Sequence, residues 1–213
     1  GEIICETGRH GEALAEFDRL ARAHPKASWA YALRGRTLGT TGREKESLRD
    51  LVKAAALAPR SGAALAWLSE SLRKLGRYRE AGQRLDQAVK LEPGFVLSWV
   101  WRGRLKLLLG RPQEALKDLD RAVRLDARYL LALAWRGEAL FKLGRGREAW
   151  EDFEAIAPMD PLRTCNAVVA EGRRQAPAER EAAYWRDLSR AAGGGDRFAA
   201  KLLERGRARL GPV

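Results

Sequence analysis

A chain of 213 residues that is 46% hydrophobic and 32% charged carries enough apolar side chain for a folded core, and its formal charge is +12. Two Cys and two His exclude a disulfide-rich scaffold and a Cys/His zinc site, and the longest uncharged apolar run, Phe95–Trp101, is far too short to cross a bilayer. The cations are 31 Arg against 9 Lys, a balance that permits attraction to acidic partners or nucleic acid without specifying either.

Read along the chain, the residues repeat. Pro25, Pro59, Pro93 and Pro161 fall on one grid of 34 residues, with Ala127 in the vacant slot. Gly-Arg recurs on that grid at Gly8-Arg9, Gly42-Arg43, Gly76-Arg77, Gly110-Arg111 and Gly144-Arg145. Five residues after each Gly stands a small residue (Ala13, Ser47, Ala81, Ala115, Ala149), each preceded by Glu. Such self-similarity is the signature of a stacked repeat. Within a unit the spacing predicts two helices. Over residues 96–129 the first runs from about Ser98 to Leu109 and stops at Gly110. The second opens at Pro112, which is pre-organised for a first helical turn, and carries Ala115, Leu119 and Ala122 on one face.

Four units are complete, at 28–61, 62–95, 96–129 and 130–163, and residues 1–27 form a partial one because Gly1 falls at unit position 8. The expectation is therefore a fragment of a longer chain, with more repeats or another domain upstream. The apolar Ile3 and Ile4 at the cut end make self-association a candidate. Beyond Pro161 the grid fades. Residues 164–213 are read as capping helices with a basic tail, since a solenoid needs atypical ends to cover its core. Cys5 and Cys165, at opposite ends of such a stack, are expected to be free thiols, which favours the cytoplasm.

The pattern resembles the tetratricopeptide repeat. Trp99, Gly103, Ala115, Leu119 and Ala122 occupy that family's marked places in unit 96–129. Leu65, Ser69, Leu72, Ala81, Leu85, Ala88 and Pro93 do so in unit 62–95. The resemblance implies an all-α fold, a right-handed α-solenoid of antiparallel helix pairs, and a non-enzymatic scaffold that binds a peptide or protein segment in its concave groove. Position 6 is two residues from the small position 8, about 200° around the helix, so it points away from the second helix and into that groove. It reads Leu33, Trp67, Trp101 and Trp135. Position 2 gives Trp29, Ala63, Leu97 and Leu131, and position 9 gives Arg36, Glu70, Arg104 and Glu138. Trp29, Leu33, Arg36, Trp67, Glu70, Leu97, Trp101, Arg104, Leu131, Trp135 and Glu138 are the candidate groove residues: a floor of indoles flanked by a sign-alternating ladder of ion pairs. On this reading Trp101→Ala weakens partner binding and leaves the melting temperature nearly unchanged; the alternative is that the rings pack on neighbouring helices with no ligand, for which a large stability loss with binding intact is expected.

Two recognition modes of the family do not fit. A carboxylate clamp needs Lys, Asn and Arg where this chain has Ala32, Arg36, Trp67, Leu97 and Trp101. An asparagine ladder at position 6 is replaced by tryptophan. The expected partner is thus apolar or aromatic. A separate pairing reads as architecture: position 7 is Arg34, Arg102 and Arg136 where position 23 is Asp50, Asp118 and Asp152, and both change together to Leu68 and Arg84 in unit 62–95.

Catalysis finds no foothold. His10 and His24 lack partners at metal spacing, and Gly144–Ala149 imitates a dinucleotide-binding fingerprint without the strand it requires. No cofactor, metal or membrane partner is expected. The alternatives are an accessory repeat arm of a larger enzyme and nucleic-acid binding along the Arg9, Arg43, Arg77, Arg111, Arg145 edge, the latter disfavoured because no aromatic residues interleave with it.

Overall fold

The computed structural model describes residues 10–156, together with Arg190 and Gly193. The expected capping helices, the Pro161 turn, the half-helix at the start and both cysteines lie outside the described residues. Nine helices and no strand occur among the described residues. They are α1 (His10–Ala23), α2 (Ser28–Thr40), α3 (Glu44–Leu57), α4 (Gly62–Lys74), α5 (Tyr78–Leu91), α6 (Val96–Leu108), α7 (Pro112–Leu125), α8 (Leu130–Lys142) and α9 (Gly146–Ile156). The even-numbered helices are the first of each unit and the odd-numbered ones the second.

The turn inside each unit has one design. Gly42, Gly76, Gly110 and Gly144 take φ of 80°, 76°, 73° and 75°, left-handed values that an L side chain resists. Because the glycine bends back there, the next N–H reaches the carbonyl five residues earlier: Arg43 to Leu38, Arg77 to Leu72, Arg111 to Lys106 and Arg145 to Leu140, each at 2.9 Å. This closes the first helix in the manner of a Schellman cap. The carbonyl of the same Arg then accepts the first bond of the second helix, from Ser47, Ala81, Ala115 or Ala149.

Small residues set how close the two helices lie. A Cβ on Gly103 would sit 2.7 Å from the Leu119 Cγ, and one on Gly35 would sit 2.8 Å from the Leu51 Cγ. The side chains that face these glycines from the second helix, Leu51 and Leu119, are at most 1% exposed. Between units, each second helix packs on the next first helix, and successive first helices also meet, α2 on α4, α4 on α6 and α6 on α8. The first helices therefore line the inner curve of the stack and the second helices its outer face. Cores are local and continuous, the central one joining Leu51, Leu65, Leu68, Leu72, Leu85 and Leu105 across three units.

Candidate binding groove

Side chains at position 6 leave α4, α6 and α8 on the inner curve, and there the indoles meet other residues in a fixed order. Trp67 and Trp101 pack edge to face, with ring centroids 4.6 Å apart and planes at 77°. Trp101 is 8% exposed and belongs to the central core. Trp67 and Trp135 are half-buried, and Trp135 packs against two core clusters, one holding Leu107, Ala115 and Ala139 and the other Val100 and Ala132. Position 9 then covers the next unit's indole. The Arg36 guanidinium lies 5.2 Å from the Trp67 ring centroid and that of Arg104 lies 4.9 Å from Trp135, both within cation–π reach.

Of the expected ion-pair ladder, one rung between helices is Glu70 to Arg104 at 3.3 Å. Glu70 also takes two hydrogen bonds from Arg73, at 2.8 and 2.9 Å. Burial would push its carboxyl up, but the Arg73 bonds and the charges of Arg104, Arg73 and Lys74 together outweigh burial and hold it below its ordinary value. Glu138 differs. It meets Lys142 of its own helix at 3.4 Å, and burial pushes its carboxyl up more than Lys142 brings it down.

The remaining candidates are spread along the same curve. Trp29 is 50% exposed, its ring 6.2 Å from that of His24. Leu131 is exposed, Leu33 is half-buried, and Leu97 packs at the margin of the central core. The structure thus joins Arg36, Trp67 and Trp101 in one run and Glu70, Arg104 and Trp135 in another on the same curve, and leaves Trp29 and Leu131 exposed at either end. Burial moves Trp101 from the expected ligand floor into the core, so truncating it is a change in packing.

The sequence reading missed two features. The first is the stacking of position 9 on the next unit's position 6, whose signal is that Arg36 precedes Trp67 and Arg104 precedes Trp135 by the same 31 residues. The second is another carboxylate at each architectural arginine. Arg34 holds Asp50 at 2.6 and 2.8 Å and also Asp18 at 2.7 Å. Arg102 holds Asp118 at 2.9 and 2.6 Å and Asp86 at 3.0 Å. Arg136 bonds Asp152 through two nitrogens and Asp120 at 3.5 Å. Each guanidinium clips three helices: its own, the one after it and the one before it. Position 25 carries the extra Asp, and it is Val52 where the clip is absent at Leu68 and Arg84. Clefts of about 450 and 440 Å³ open over the first and last clips, lined by these ion pairs rather than by the indoles.

On the turn edge every described arginine is closed by the Glu three residues on. Arg43 pairs with Glu46, Arg77 with Glu80, Arg111 with Glu114 and Arg145 with Glu148, each through two bonds of 2.5–2.8 Å. That edge is charge-balanced, which removes its complementarity to a phosphate backbone. Among the described residues no group of three His, Cys, Asp or Glu gathers as a metal site, and no helix is long and apolar enough to cross a membrane.

No curated protein matches the chain. A family model described as tetratricopeptide repeat matches residues 68–129 and 102–163. Among solved structures, a thermophilic TPR protein of Thermus thermophilus superposes with a TM-score of 0.70 at 22% identity, over 80% of this chain and 94% of its own. PilF of Pseudomonas aeruginosa gives 0.71 at 19% identity, over 97% and 86%. YrrB, described as a TPR protein with an unusual peptide-binding site, gives 0.54 at 19% identity, over 81% and 88%. The likeness in structure is one of fold, and the residue pattern, the two matched segments and the stacked helix pairs agree: residues 68–163 are tetratricopeptide repeats.

Proposed function

We propose that the chain is a non-catalytic scaffold that takes a peptide or protein segment along its inner curve, between Trp29 at one end and Leu131 at the other. The observation that carries this reading is the run of indoles and guanidinium groups on the face where first helices meet. Trp67 and Trp135 are half-buried, each backed by core and covered on one side by Arg36 or Arg104. Rigid aromatic side chains with an adjacent cation suit a segment that offers apolar or aromatic side chains. YrrB's described peptide-binding site makes the same kind of ligand reasonable for this fold.

Trp29 gives the cleanest test, because its ring is 50% exposed and little packing depends on it. With a peptide selected from a random display library on the full chain, Trp29→Ala is expected to weaken binding about 10-fold or more, with the melting temperature unchanged. Peptide affinity unaffected by Trp29→Ala and by Trp135→Phe would exclude the inner curve as the binding surface.

A further inference from the structure

The surplus positive charge is concentrated away from the groove. Along a second helix, positions 18, 22, 26 and 29 form the outermost stripe, and in α3, α5 and α7 all twelve such residues are exposed. α3 presents Lys45, Arg49 and Lys53, α5 presents Arg79 and Lys90, and α7 presents Lys117, Arg121 and Arg124. Of the other four slots, three are glutamine (Gln83, Gln87, Gln113) and one is Ala56, so no carboxylate stands in the stripe. Lys53 donates to the Tyr31 hydroxyl at 2.8 Å. The other seven cations make no ion pair or side-chain hydrogen bond among the described residues. Asp18, Asp86 and Asp120 at position 25 are tied to Arg34, Arg102 and Arg136, and Glu46, whose charge Arg49 also feels, is held by Arg43.

The geometry points to this outer face as a docking surface for the phosphate backbone of double-stranded nucleic acid, read without regard to sequence. Charge complementarity comes first: a duplex carries about one phosphate per 1.7 Å of axis, and the stripe spans about 16 Å of helix. The uncharged slots are compatible with phosphate, since glutamine donates to phosphate oxygens as arginine and lysine do. An interfacial membrane face sets large apolar side chains beside its cations, and a protein interface is anchored by aromatic or apolar centres. The twelve positions offer neither, although Val52 and Leu57 of α3 and Tyr78 and Leu91 of α5 are exposed on the same helices. Tyr78, at the start of α5, is the one exposed aromatic ring on these three helices, too few for the base stacking that single strands use. This surface is not the Arg edge, whose charges Glu46, Glu80 and Glu114 cancel.

The test compares two variants with the same loss of net charge. Lys117→Gln, Arg121→Gln and Arg124→Gln together remove three cations from the outer face; Arg43→Gln, Arg77→Gln and Arg111→Gln together remove three from the turn edge. Binding of the full chain to a labelled 20-base-pair duplex is followed by fluorescence anisotropy across a salt series. The outer-face variant is expected to lose at least tenfold in affinity at about 50 mM salt, with the slope of log affinity against log salt falling by about 2–3. The edge variant is expected to lose less than threefold. Equal losses in the two variants, no duplex binding by the parent chain, or binding to phosphatidylserine vesicles without duplex binding each overturn the proposal. Lys45→Gln, Arg49→Gln and Arg79→Gln provide a second outer-face variant should the first fail to fold by circular dichroism.

Discussion

Three tryptophans share one unit position and have different surroundings. Trp101 lies edge-on to Trp67 inside the central core, so Trp101→Ala opens a cavity between units 62–95 and 96–129. It is expected to cost about 3–5 kcal/mol in urea unfolding, and a loss below about 1 kcal/mol would place the ring outside the packed core. Two carboxyls at position 9 are tuned in opposite senses. Glu138 has a folded pKa raised by burial, so its ionised form costs stability above that value and the cost is gone below the unfolded pKa. Glu138→Gln is therefore expected to stabilise the chain by up to about 1 kcal/mol at pH 7, with the gain vanishing near pH 4. Glu70 has a lowered pKa despite its burial, because Arg73 and Arg104 hold its charged form. Its contribution is complete above the unfolded pKa and disappears as pH falls through the folded one. Glu70→Gln is thus expected to destabilise at pH 7 and to be neutral in acid, the reverse of Glu138→Gln. Melting curves of both variants at pH 7 read the two signs directly, and a series to lower pH is expected to show the Glu138→Gln gain vanishing near pH 4 and the Glu70→Gln loss persisting there and fading only in stronger acid.

The three-helix clip ties elements together with a single guanidinium, and its partners stand 16 residues to either side of the arginine. The joint between α3 and α4 has no clip. Leu68 is buried there at 4% exposure, and the Ser47 and Ser71 hydroxyls bond each other at 2.6 Å. Leu68→Arg alone would bury a cation without a carboxylate, at an expected cost of about 2–4 kcal/mol in urea unfolding. Adding Val52→Asp and Arg84→Asp rebuilds the arrangement found at Arg34 and Arg102, and the triple variant is expected to recover most of that loss. Failure to recover would mean that the clip depends on more than these three positions. The period, the glycine turns and the own-unit Arg–Asp pairing were legible because each is a matter of residues at fixed spacing inside a unit. The second Asp lies across a unit boundary, where the eye that aligns units does not compare neighbours. The burial of Trp101 was illegible for another reason: position 6 reads as groove in every unit, and only the local neighbours, Trp67 and Leu105, decide which indole is covered. The guanidinium covers on Trp67 and Trp135 were hidden in the same way, since alternating signs at position 9 suggest ion pairs before they suggest ring stacking.

Across the whole molecule the clips recur at α2, α6 and α8 but not at α4, so the stack has unlike joints in series. In an array where each unit touches only its neighbours, stability is close to a sum of unit and interface terms, and the consequence of a weakened joint depends on where it lies. Arg34 ties α2 to α1 and α3 near one end. Arg102 ties α6 to α5 and α7 near the middle, where Lys106 also reaches Asp118 at 2.7 Å. Arg34→Met leaves Asp50, 8% exposed, without its cation, and α1, which among the described helices packs mainly on α2, is the element that can respond most cheaply. Among the described residues, opening α1 and α2 gives up the α1–α2, α2–α3 and α2–α4 interfaces. Opening at Arg102 would break the chain of contacts on both sides, so the folded units on either flank resist it. Native-state hydrogen exchange resolved by peptide is therefore expected to show α1–α3 losing protection in Arg34→Met while α5–α7 keep theirs. In Arg102→Met protection is expected to fall together from α4 to α8. Uniform loss along the chain in Arg34→Met would show instead that the stack unfolds as one cooperative block, and that its joints, though chemically unlike, are energetically equivalent.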